Sequence, residues 1–163
     1  MTTTPARWLR QGMAALAGSL LMLSFSPMAQ AAAPQVKTQA PGFYRMMLGD
    51  FEVTALFDGT IDLEPKKLLT NTTQAQVGKL LDRSFEKDLV PTSVNAYLVN
   101  TGSKLVLIDA GAGSLFGPTL GNLRNNLLAA GYKPEQIDDV LITHMHGDHV
   151  GGLIADGKLA FPN

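Results

Sequence analysis

Val140-Leu141-Ile142-Thr143-His144-Met145-His146-Gly147-Asp148-His149 decides how this chain is read. Asp138–Thr143 is apolar and β-branched at its centre, the pattern of a strand. It leads directly into a polar loop. The chain has three histidines, and all of them, His144, His146 and His149, fall within this run, with Asp148 among them. His144 and His146 are two apart, so in extended backbone both imidazoles leave on the same side. Gly147 is expected to turn the chain sharply. That turn would aim Asp148 and His149 at a point beside the first pair. Imidazole and carboxylate together suit borderline divalent metals, zinc foremost. A histidine-rich surface turn is the plainer alternative. The buried strand before the run weighs against it, as does Gly151-Gly152-Leu153 after it, which permits close backbone packing.

Working outward, Tyr44–Leu48 and Phe51–Phe57 read as strands around the turn Gly49-Asp50. Asp58-Gly59 reads as a second turn with a structural aspartate, followed by a short strand at Ile61–Leu63. Gln74–Phe85 places Val77, Leu80, Leu81 and Phe85 at helical spacing. Thr92–Val99 and Lys104–Ile108, joined by Asn100-Thr101-Gly102-Ser103, form a predicted β-hairpin. Leu120, Leu123, Leu127 and Leu128 share one helical face that Gly131 should close. Strands, a helix, then a strand ending in a polar loop predict an α/β architecture of α+β layers, a sheet covered by helices on one face. Loops at the carboxyl ends of strands are where such folds build sites.

Hydrophobic residues make up 45% of the 163 and charged residues 17%, which excludes a disordered tail and fits one modest domain with a core. The formal net charge of -1 gives no electrostatic footprint for nucleic acid. There is no cysteine, which removes disulfides, thiolate metal sites and a cysteine nucleophile. Any metal must be held by histidine nitrogen and carboxylate oxygen.

The first 33 residues have their own character. Arg7 and Arg10 precede the apolar run Gly12–Phe25, then Ser26-Pro27-Met28-Ala29-Gln30-Ala31-Ala32-Ala33, and no acidic residue occurs before Asp50. This is the order of a secretory signal peptide over residues 1–33, cleaved after Ala31 or Ala33. The run is shorter than the ~20 residues that span a bilayer, so no stable membrane anchor is expected. A periplasmic or secreted protein follows. Residues 34–42 read as a mobile leader.

His144-Met145-His146-Gly147-Asp148-His149 resembles the HxHxDH signature of the metallo-β-lactamase fold superfamily. Phe43–Phe51, Leu98–Leu107 and Leu115–Gly121 resemble, within it, the exported methyl parathion hydrolase-like metallohydrolases. The resemblance implies an αββα sandwich and a dinuclear hydrolase whose hydroxide attacks a phosphotriester, lactone or ester. It implies that His144 and His146 serve one metal, and Asp148 and His149 a second. Asp148 is also the catalytic candidate, orienting the hydroxide. The cofactor implied is two Zn2+, with other divalent metals as substitutes, and the partner a small-molecule substrate, with homodimerisation left open. The family has further ligands beyond this loop, whereas no histidine follows His149. Residues 43–163 are therefore expected to be the N-terminal half of such a domain, without enzymatic turnover alone.

The resemblance also implies that Asp109 supports the metal loop by hydrogen bonds, against the plainer reading of a turn-forming aspartate after a strand. Phe116 is a candidate wall of an apolar substrate pocket, or a packing residue. Two alternative functions remain: an iron-dependent oxidoreductase of the same fold, and a non-enzymatic, inert fragment.

Overall fold

The structure, a computed structural model, describes residues 33–163. The signal-peptide expectation falls on residues that lie outside it, Ala33 excepted. Residues 33–38 carry no helix or strand. Among the described residues, no helix is long and apolar enough to cross a membrane. The unit Gln39–Asn163 is built on one five-stranded sheet.

Its strands are β1 (Phe43–Leu48), β2 (Phe51–Leu63), β3 (Val90–Asn100), β4 (Leu105–Ile108) and β5 (Asp139–Leu141), side by side in that order. β1 to β4 are antiparallel neighbours, and β5 runs parallel to β4. Both predicted hairpins are present. Gly49, at φ +60°, makes the first turn. The Asp58-Gly59 turn is absent. β2 runs straight through to Leu63 and takes up the extra residue as a bulge between Phe57 and Gly59. Pairing with β3 on both sides of the bulge outweighs the local turn preference of Asp-Gly.

Successive cross-strand rows face opposite sides of the sheet. Arg45, Thr54, Leu98, Leu107 and Val140 form one row across all five strands. On that side Leu56, Ala96, Leu98 and Leu107 pack against Leu123, Leu127, Ala130 and Ile137. The next row, Tyr44, Ala55, Tyr97, Ile108 and Leu141, faces the other way, and its Tyr44, Tyr97 and Leu141 are exposed. Fully burying one leucine contributes about 1.5–3 kcal/mol, so the helix-covered face carries the stability.

The helices are α1 (Pro65–Leu68), α2 (Gln74–Arg83), α3 (Leu123–Ala129) and α4 (Gly147–Val150). α2 starts at a capping box: the Thr73 hydroxyl accepts from the Gln76 amide at 3.2 Å, and Gln76 Oε1 accepts from the Thr73 amide at 3.0 Å. α3 covers the sheet and begins later than the leucine spacing suggests. Leu120 instead packs with Val94 and Ala112 in a second small cluster. Gly121, at φ +87°, breaks the helical pattern between Leu120 and Leu123. At the other end the Gly131 and Tyr132 amides donate to Leu128 and Leu127, closing the helix as expected. The chain returns through a 3-10 turn at Pro134–Gln136 into β5. The parallel pair β4 and β5 therefore ends at one edge, with Asp109 after β4 and Thr143–His149 after β5.

Candidate metal centre

Asp109 leaves β4 at φ +63°, a left-handed conformation that aspartate tolerates better than most residues. The residue is buried, 6% exposed. It accepts hydrogen bonds from the Thr143 amide at 2.8 Å and from the Thr143 hydroxyl at 2.8 and 3.0 Å. His149 Nδ1 lies 2.7 Å from its Oδ2. Burial pushes the Asp109 pKa upward, but the Thr143 amide, His149 and the Thr143 hydroxyl together outweigh it. The net result is a carboxyl held below its ordinary value.

These bonds orient two rings. With Nδ1–H donated to Asp109, His149 presents the lone pair of Nε2. The Thr143 hydroxyl, having donated to Asp109, can accept from His144 Nδ1 at 3.1 Å, which frees His144 Nε2 in the same way. His144 Nε2 then faces His146 Nδ1 at 3.2 Å, and His149 Nε2 faces Asp148 Oδ2 at 3.2 Å. Neighbouring ligands of a tetrahedral zinc with bonds of ~2.0–2.1 Å are separated by about 3.3 Å. Each pair of donors fits one edge of such a shell. The His144 and His149 ring centroids are 4.0 Å apart, so the two pairs adjoin. Among the described residues no three histidine or carboxylate side chains converge on one point. The loop thus offers two donor pairs, not a closed cage.

α4 delivers the second pair. The His149 and Val150 amides donate to the His146 carbonyl at 3.0 and 3.2 Å, setting Asp148 in the first turn. Gly147 is not in a left-handed conformation, so the expected sharp glycine turn is corrected to a matter of space. A Cβ there would lie 3.0 Å from the edge of the Phe116 ring and 3.3 Å from Leu115 Cδ1. Phe116 is therefore seated on the metal loop, 43% exposed. It does not line the cavity of about 500 Å3 that runs past Ala110, Gly113, Leu120, Arg124 and Gly152 and includes none of the histidines.

Two residues here had no assigned part in the sequence reading. Thr143 was quoted as strand end only, though it bonds both Asp109 and His144. Asp58, read as a turn residue, is fully buried, and its carboxylate accepts amides from Ala112, Gly121 and Leu123. A polar residue inside the otherwise alternating Phe51–Leu63 run was the available signal.

Residues 89–155 match the family model for the Metallo-beta-lactamase superfamily. The chain is similar to the solved structure of AbOPH, a hydrolase of the beta lactamase superfamily, with 46% identity and a TM-score of 0.71, covering 77% of this chain and 44% of that one. It is also similar to AidC, a dizinc quorum-quenching lactonase solved with a product, with 34% identity and a TM-score of 0.69, covering 75% of this chain and 42% of that one. The atrochrysone carboxyl ACP thioesterase of Aspergillus novofumigatus is 42% identical over 59 residues, 36% of this chain and 17% of that protein. The chain spans less than half the length of each of these proteins. In sequence, the segment that carries the histidine loop matches the metallo-β-lactamase superfamily, and in fold the chain is similar to solved hydrolases of that superfamily.

Proposed function

We propose that this chain supplies the metal-binding loop of a metal-dependent hydrolase acting on a small ester, lactone or phosphotriester. The observation that carries the reading is the pairing of donors. His144 Nε2 with His146 Nδ1, and Asp148 Oδ2 with His149 Nε2, are each spaced as one edge of a zinc shell. His144 and His146 would hold one metal, and Asp148 and His149 a second. Divalent metals there would supply Lewis acidity and lower the pKa of water. The protein's own groups set the geometry. Asp109 keeps the proton of His149 on Nδ1, and Thr143 does the same for His144. The Asp148 carboxylate can accept a hydrogen bond from an attacking water. Phe116, seated on Gly147, gives the site an apolar wall.

Similarity to AbOPH and to the lactonase AidC supports hydrolysis as the reaction class. We further place the protein with exported enzymes of the methyl parathion hydrolase kind, on the motifs around Phe43–Phe51 and Leu115–Gly121. Isothermal titration with zinc tests the metal assignment. The chain should bind zinc, and His144→Ala and Asp148→Asn should each weaken binding by at least about tenfold. Turnover of a chromogenic phosphotriester, an acyl-homoserine lactone and a thioester by the zinc-loaded protein tests the reaction, with oxygen consumption as a control for iron chemistry. Zinc binding unchanged in both variants would overturn the reading.

A further inference from the structure

Asp58 is the extra residue of the β2 bulge, two residues on from Leu56 and buried on the same side of the strand. It is fully buried, and it forms no ion pair among those found in the described residues. Its charge is met by backbone amides. Oδ2 accepts from Ala112 at 3.0 Å and from Gly121 at 3.1 Å, and Oδ1 accepts from Leu123 at 2.9 Å. One oxygen thus ties the two ends of the loop 112–121 together. The tip of that loop carries Leu115 and Phe116 onto Gly147.

The segment Asp109–Ala112 lies between Asp58 and the histidine loop, and successive residues touch one or the other. The Asp109 carboxylate meets His149 Nδ1 at 2.7 Å. The Ala110 amide donates to the His149 carbonyl at 2.8 Å, and the Gly111 carbonyl accepts from the Gly152 amide at 3.0 Å. The Ala112 amide then donates to Asp58. The two strips are in backbone contact: a Cβ on Gly152 would lie 1.9 Å from the Ala110 carbonyl oxygen. Nothing wider than glycine fits, so a shift of one strip moves the other.

We infer that Asp58 is a positioning residue for the candidate metal loop. By clasping Ala112 and Gly121 it fixes the segment Asp109–Ala112, and through it the placement of His149. The inference rests on the proposed function only for its metal readout.

The test uses the full chain with Asp58→Ala, Asp58→Asn and, as a control, Leu127→Ala in the main core. In the metal-free protein the His149 Nδ1–H, bonded to Asp109 at 2.7 Å, is expected to give a low-field proton resonance. That resonance should persist in the wild type and in Leu127→Ala, and be lost in Asp58→Ala. Zinc affinity, measured against a chromophoric chelator at a temperature where circular dichroism shows each variant folded, should fall about 10–100-fold in Asp58→Ala. It should change less than about twofold in Leu127→Ala, whose damage is to packing alone. Asp58→Asn keeps an acceptor for Ala112 and Gly121 and should lose less than Asp58→Ala. Should Asp58→Ala fail to fold, Gly111→Ala replaces it, since its Cβ would press to 2.7 Å on Asp58 Oδ1. An unchanged resonance and unchanged affinity in the Asp58 variants, or in Gly111→Ala where it stands in, would overturn the inference. Loss of the resonance in Asp58→Ala but not in the wild type, where the wild type itself binds no zinc, upholds the positioning role and removes the metal reading instead.

Discussion

His149 Nδ1 lies 2.7 Å from Asp109 Oδ2, so the residue that follows β4 dictates which nitrogen of a loop histidine carries the proton. The same carboxylate takes the amide and hydroxyl of Thr143. Two strand ends are thereby locked into one unit.

This lock predicts a graded loss on removing it. Asp109→Asn keeps an acceptor but not the charge, and zinc affinity should fall about tenfold. Asp109→Ala leaves His149 Nδ1 and Thr143 without a partner, and the loss should approach about 100-fold. Competition with a chromophoric chelator reads both. Equal affinity in wild type and both variants would show that the lock does nothing for metal binding.

Leu127, fully buried on α3, joins Leu56, Leu98 and Leu107 of the sheet. Leu127→Ala removes those contacts and leaves a cavity. The expected cost is about 2–5 kcal/mol in urea unfolding. A cost below about 1 kcal/mol would mean that α3 is not seated on the sheet as described.

Tyr132 offers a pH test far from the metal loop. Burial raises its phenol pKa above the ordinary 10.0, and the hydroxyl's donation to Glu52 at 2.5 Å adds to the rise, while Asn100 and Arg45 act against it. A raised folded-state pKa means that the neutral phenol stabilises the fold. That contribution is fully present below the unfolded pKa and is lost as pH rises through the folded one. Thermal stability should therefore drop more steeply above pH 10 in the wild type than in Tyr132→Phe. Parallel alkaline profiles would count against this account.

Local patterning was enough for most of the framework. The apolar and β-branched stretches Phe51–Phe57 and Thr92–Val99, with Gly49-Asp50 and Asn100–Ser103 between strands, pointed to both hairpins, because strand composition and turn chemistry are written over a few adjacent residues. Where local and distant preferences conflict, the sequence reading failed. Asp58-Gly59 carries a turn signal, yet β3 holds β2 straight on either side. Leu120 continues the leucine spacing of α3, yet Gly121 and the Asp58 carboxylate make the helix start only after it. The clustering of His144, His146, Asp148 and His149 needed no fold to be seen. The Asp109–Thr143 and Asp58 contacts span 34 to 65 residues, the first formed once β4 and β5 lie side by side and the second once the loop after β4 and the start of α3 meet β2.

Export is proposed from the order of arginines, apolar run and small residues before Ala33. N-terminal sequencing of protein recovered from a bacterial periplasm should begin at Ala32 or Pro34. An exported protein that still begins at Met1 would refute cleavage.

Thr143 is the last residue whose part can be isolated. Its hydroxyl donates to Asp109 at 2.8 Å and meets His144 Nδ1 at 3.1 Å, linking the histidine of one donor pair to the carboxylate that orients the other. Its amide bond to Asp109 is backbone and survives any substitution. Thr143→Val keeps the shape and removes the hydroxyl, so His144 is free to change tautomer and point Nδ1 outward. Thr143→Ser keeps the hydroxyl and loses only a methyl group. Zinc affinity should fall about tenfold in Thr143→Val and stay within about twofold of wild type in Thr143→Ser. Nitrogen-15 spectra of the imidazoles separate cause from consequence. The metal-free wild type should show His144 protonated at Nδ1, and Thr143→Val a mixture of both tautomers. If Thr143→Val binds zinc as wild type does and keeps a single His144 tautomer, the hydroxyl is a packing feature, and His144 is oriented by His146 alone.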